Sequence, residues 1–163
     1  MLRYRPEGGR FFGWVAYTLS RSERARSKSE ALQLFEWDQT HIPSALGSYT
    51  FGRGWTIGGR FRYVTGAPYT PYLGGVLDLD AGAYSPITGQ APFTARFPAF
   101  HQLDLRVDKT WEIQRLKLTA YLELRNAYTR SNAEARTYSY DYSQSKNQGG
   151  LPLLPVLGLR GAL

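Results

Sequence analysis

The residues best able to do chemistry are few and scattered. His41 and His101 each stand at the start of an alternating segment. A zinc site would need them joined by further nitrogen, sulfur or carboxylate ligands, and the chain has no cysteine and only two histidines. Hydrogen bonding at a strand start is the expected role. Asp78 and Asp80 are spaced like the first carboxylates of a calcium loop, but the glycine of the sharp turn and the closing glutamate are missing. Asp104 and Glu123 would make a carboxylate pair for acid–base work if they stood alone. Arg106 and Arg125 accompany them, which favours an ion-pair ladder between neighbouring strands. No glycine-rich phosphate loop or serine elbow stands out. The expectation is no enzyme, no metal and no cofactor.

The formal net charge is +7. A basic balance draws attention to nucleic acid or anionic lipid. The positive residues are spread along the chain, however. The densest run, with Arg21, Arg24, Arg26 and Lys28, is interrupted by Glu23 and reads as a solvated loop. No nucleic-acid partner is expected. Without cysteine there is no disulfide framework.

Aromatic residues offer a different chemistry. Tyr69, Tyr72, Tyr84, Phe93 and Phe97 decorate a stretch rich in proline and glycine, residues 66–98. Long loops of this kind are uncommon unless functional, and loops carry binding. These five are the candidate ligand contacts, self-packing of the loop being the other reading.

The elements that must hold these residues show period-2 alternation. The clearest segment follows His101, where Leu103, Leu105 and Val107 alternate with Gln102, Asp104, Arg106 and Asp108. Next, Leu116, Leu118, Ala120, Leu122 and Leu124 alternate with Lys117, Thr119, Tyr121, Glu123 and Arg125. A helix would scatter these leucines around its surface. Strands are expected near residues 10–21, 41–52, 55–66, 100–111, 115–128 and 151–162. Pro152 and Pro155 weaken the start of the last.

Short links join the second strand to the third and the fourth to the fifth; the other links are long and polar. Outer-membrane barrels alternate short periplasmic turns with long extracellular loops in this way. Trp14, Trp55 and Trp111 fall near the short-turn rim, as an interfacial aromatic girdle would require. No run of 18 or more apolar residues exists, so no transmembrane helix is expected. Nothing after Met1 reads as a signal peptide. A barrel precursor would need one, so the expectation is that it was removed or that the chain is a piece of something longer.

Five stretches in order resemble the C-terminal strands of TonB-dependent outer-membrane receptors. They are residues 13–22 (GWVAYTLSRS), 35–41 (FEWDQTH), 61–71 (FRYVTGAPYTP), 98–109 (PAFHQLDLRVDK) and 122–128 (LELRNAY). The resemblance implies an all-β fold, an antiparallel transmembrane β-barrel segment of about six strands from a barrel of about 22. It covers residues 1–163 as a C-terminal part, with no counterpart of the plug domain. It further implies a place in the cell outer membrane and active uptake of a scarce, siderophore-like solute. The implied partners are outer-membrane lipid and the missing N-terminal strands and plug. The TonB system and the barrel assembly machinery would be reached only through the intact receptor. The chain departs from the family's terminal aromatic residue by ending in Leu163. Two open sheet edges are not tolerated in lipid, so the chain is expected not to function alone. The rival readings are a soluble β-sandwich or small barrel binding a ligand or glycan, and a basic single-strand nucleic-acid binder with stacking tyrosines.

Overall fold

The computed structural model describes residues 1–25, 27–89 and 91–162. Its main element is one seven-stranded antiparallel sheet in which sequence neighbours are also spatial neighbours. The strands are β1 (Leu2–Tyr4), β2 (Phe11–Leu19), β3 (His41–Gly52), β4 (Trp55–Val64), β5 (Phe100–Ile113), β6 (Leu116–Arg125) and β7 (Leu154–Ala162). The chain is all-β, and the six expected strands are present. β1 was not expected, since three residues are too few to display a period. β7 starts at Leu154, after Pro152. Pro155 is accommodated within it because β7 is an edge strand. The sheet is open: β1 and β7 are its two edges.

The turns follow local chemistry. Between β3 and β4, Arg53 (φ 51°) and Gly54 (φ 77°) are both left-handed. A Cβ on Gly54 would lie 2.0 Å from the Thr110 carbonyl oxygen, so only glycine fits. Gln114 (φ 56°) makes the β5–β6 turn. Residues 5–10 form a third short turn at the same end. The three long links, residues 20–40, 65–99 and 126–153, all leave from the other end.

Register sorts the side chains onto two faces. Leu105 faces Leu124, Val107 faces Leu122, and Trp111 faces Leu118. Leu103 faces Phe61, and Ala45 lies opposite both Phe61 and Val15. Leu157 and Leu159 continue this face opposite Leu122 and Ala120. The other face is polar: Asp104 faces Arg60 and Arg106 faces Glu123. The alternation expected along each strand is therefore the alternation observed.

Two expectations need correction. Trp14 lies opposite Leu46 on the polar face, in the row that contains Arg60 and Asp104. Only Trp55 and Trp111 occupy the apolar face at the short-turn end, so Trp14 belongs to no girdle. Residues 66–98 are not irregular throughout. They contain a hairpin of Tyr72–Asp78 with Ala83–Thr88, and the last long link holds a second of Ala133–Tyr138 with Ser145–Gly149.

Candidate functional site

The long-link end is built by these two hairpins, which stack on each other through tyrosines. Gly75 allows the close approach: a Cβ there would lie 2.6 Å from the Asp141 carbonyl oxygen. Tyr72 packs on Tyr138 with ring centroids 4.7 Å apart and on Tyr142 at 5.3 Å. Tyr84 meets Tyr140 edge-on at 5.5 Å, and the Tyr140 hydroxyl donates to the Gly82 carbonyl at 2.9 Å. Edge-to-face and tilted pairs of this kind each contribute about 0.5–1.5 kcal/mol beyond area burial.

The five aromatic residues singled out from the sequence fall into three groups. Tyr72 and Tyr84 belong to the tyrosine stack. Tyr69 and Phe97 pack together at 4.6 Å, beneath Arg136. The Arg136 guanidinium lies 5.2 Å from the Tyr69 ring and donates to the Tyr69 hydroxyl at 2.5 Å. Phe93 stands apart, edge-on to Phe35 at 6.0 Å. The five thus do not line one pocket, and much of their ring surface is used in holding loops together. Of the five, Tyr72 is 38% exposed, and the outward surface beside it is extended by Tyr140, the partner of Tyr84, which is 70% exposed. Together they offer π-faces and phenol hydroxyls, suited to stacking on a flat or sugar-like ligand.

Buried polar residues clamp the links to the sheet. Asp38 is fully buried in the first link. It accepts from the Ser22 amide (2.7 Å), the Thr40 hydroxyl (3.0 Å) and Arg96 Nη2 (2.5 Å). Arg96 Nη1 also donates to the carbonyls of Asp38 and Gly66. Burial pushes the Asp38 carboxyl up, but the hydrogen bonds from Arg96, Ser22 and Thr40, with the Arg96 charge, outweigh it and hold the group below its ordinary value. Asn132 exchanges two side-chain bonds with the backbone of His101. Asn126 (φ 55°) donates to the carbonyls of Arg130 and Leu151. None of these four anchors was singled out as a site from the sequence. For Asp38 and Asn126 the available signal was a polar residue within apolar or aromatic surroundings, in the stretches 35–41 and 122–128; Asn132, among polar neighbours, gave none.

His41 Nδ1 lies 2.7 Å from the Tyr17 hydroxyl, and His101 Nδ1 2.7 Å from that of Tyr128. Asp78 accepts from the amides of Asp80 and Ala81, closing the hairpin turn. Glu123 pairs with Arg106 at 3.4 Å and Arg125 at 2.9 Å, as a ladder predicts. Asp104 does not join that ladder. Arg106 turns to Asp108 at 2.7 Å, and Asp104 takes Arg60 from β4 at 2.7 Å. Beside these pairs a hollow of about 250 Å³ opens, bordered by Ser48, Gly58, Arg60, Asp104, Arg106 and Glu123.

No protein-family model matches the chain, and neither a curated protein nor a solved structure matches it.

Proposed function

We propose that the chain forms part of the wall of an outer-membrane β-barrel of the TonB-dependent receptor kind, acting in active uptake of a scarce, siderophore-like solute together with further strands and a plug. The observation that carries this reading is the inverted burial. Among the described residues no hydrophobic side chain is buried, whereas Asp38, Asp104, Thr119, Asn126 and Asn132 are. Leu157 and Leu159 are 79% and 73% exposed on a face with no second layer over it. In water each such leucine forgoes about 1.5–3 kcal/mol of burial. Hydrocarbon removes that cost.

The dimensions of the face support the same reading. A row of Tyr17, Tyr63, His101 and Tyr128 borders it toward the long links, and Trp55 and Trp111 border it toward the short turns. His101 to Trp111 at about 3.3 Å per residue is about 33 Å of strand. Tilted by about 45°, it spans about 23 Å, near the ~25 Å apolar band of outer-membrane barrels. The ordered likeness of five stretches to TonB-dependent receptors supports the finer part of the reading, and the aromatic hairpins would face the solute from outside.

The test is labelling in lipid. Leu105→Cys, Leu122→Cys and Arg106→Cys variants are refolded into phosphatidylcholine vesicles and exposed to a lipid-soluble thiol label. Reaction at positions 105 and 122 but not 106 is expected. Equal reaction at all three, or reaction at 106 alone, overturns the reading.

A further inference from the structure

The charge of the molecule is segregated along the strand direction. The three long links hold as many acidic as basic residues, so the net charge of +7 arises from the strands and short turns. The short-turn end carries Arg5, Arg10, Arg53, Lys109, Arg115, Lys117 and Arg160 against Glu7, Asp108 and Glu112, and Asp108 is engaged with Arg106 on the polar face. Glu112 is engaged with Lys117 at 3.4 Å. Among the described residues no ion pair engages Arg5, Arg10, Arg53, Lys109 or Arg115.

Lys109 stands out within this group. It sits in β5 two residues from Val107 and Trp111, on the apolar face, and directly opposite Trp55. It is the one Lys, Arg, Asp or Glu on that face among the described strand residues. Its ammonium lies 5.2 Å from the Trp55 ring and 5.7 Å from the Trp111 ring, and it donates to the Arg53 carbonyl at the turn. The lysine stem thus lies along apolar surface while its charge reaches the rim. Two indoles and an ammonium at the edge of an apolar band, with Arg53 and Arg115 in the adjoining turns, match the chemistry of a lipid headgroup carrying a phosphate anion.

We propose that the short-turn rim, centred on Lys109 between Trp55 and Trp111, is a binding surface for anionic phospholipid headgroups in the bilayer. This rests on the reading that the apolar face meets lipid. The rim selects lipid by charge: each basic residue near an anionic surface adds attraction that salt screens.

The full chain is refolded into phosphatidylcholine vesicles containing an equal share of phosphatidylglycerol, with bromine on the acyl chains of one lipid or the other. Trp14→Phe and Trp37→Phe leave Trp55 and Trp111 as the only tryptophans, excited selectively at the red edge of their absorption to avoid the tyrosines. Brominated phosphatidylglycerol is expected to quench about twofold more than brominated phosphatidylcholine at low salt. The excess should vanish in the Arg53→Gln/Lys109→Gln/Arg115→Gln variant and persist in Lys109→Arg. Equal quenching by both lipids in the parent protein overturns the headgroup site and leaves the membrane reading intact. Quenching by neither overturns both. An excess that survives the triple substitution, in a protein with unchanged circular dichroism, also overturns the site.

Discussion

Asp38 and Arg96, 58 positions apart in the chain, meet through a 2.5 Å contact in which the Asp38 side chain is wholly buried. The pair ties the first long link to the second at the rim of the sheet. Removing one partner of a buried pair is costly because the other is left uncompensated, on the order of 3 kcal/mol. Arg96→Met is therefore expected to loosen both links while leaving the sheet intact. Amide hydrogen exchange should accelerate at Ser22, which donates to Asp38, and not at Val107 in β5. Unchanged protection at Ser22 would show that the clasp contributes little.

The tyrosine hairpins carry an acid-sensitive turn. Asp141 accepts from the hydroxyl of Ser139 and the amide of Ser143, and these bonds lower its carboxyl from 3.8 to about 2. A depressed folded value means the contribution is fully present above the ordinary value and is lost as pH falls through the folded one. Order around Ser139 and Ser143 should hold at pH 5 and decay between about pH 4 and 2. Asp141→Asn should remove that transition. The amide signal of Ser143 followed by NMR across the range decides it.

Gly75→Ala places a methyl where the Asp141 carbonyl lies 2.6 Å away. The two hairpins must separate, and the Tyr72–Tyr138 contact opens. A cost of about 1–3 kcal/mol is expected from such overpacking. Proteolysis of the residue 133–149 hairpin should become several-fold faster in proportion to its open population. No change in cleavage rate would mean that the hairpins do not depend on each other.

Asp104, 6% exposed, accepts from Arg60, Gln102 and the Asn126 amide. Arg60 is about half exposed, which weakens the pair through solvent screening. A double-mutant cycle with Arg60→Met and Asp104→Asn is expected to give a coupling of about 0.5–1 kcal/mol in urea unfolding from vesicles. Asp104→Leu should cost more, about 1–3 kcal/mol, because it strands the buried Asn126 amide. If Asp104→Leu is no worse than Arg60→Met, the amide does not depend on this carboxylate.

The open sheet predicts what the chain does by itself. β1 and β7 each present an unpaired edge, and unpaired backbone groups in hydrocarbon cost several kcal/mol apiece. In vesicles the purified 163-residue chain is therefore expected to cover these edges by pairing with further copies, its apolar face still in lipid, and to give no steady conductance and no compact unboiled monomer band on a gel. A monomer with both properties would show that these strands close without partners.

Alternation along the strands was legible because it is local. Leu103, Leu105 and Val107 against Asp104, Arg106 and Asp108 fix the face of each residue whatever the neighbours are, since a strand turns successive side chains to opposite sides. The link lengths were legible for the same reason. What lay beyond the sequence was everything that depends on which segments meet. β1 has too few residues for a period and exists through its pairing with Gly13, Trp14 and Val15. Trp14 was near a strand start in the chain, yet register carries it to mid-sheet opposite Leu46. Asp104 had arginines close by in sequence but was paired with Arg60, because β4 lies alongside it and Arg106 is drawn to Asp108 and Glu123. The tyrosine stack and the Asp38–Arg96 clasp join links that the sequence separates. Periodicity reports which way a side chain points; only tertiary structure decides what stands opposite it.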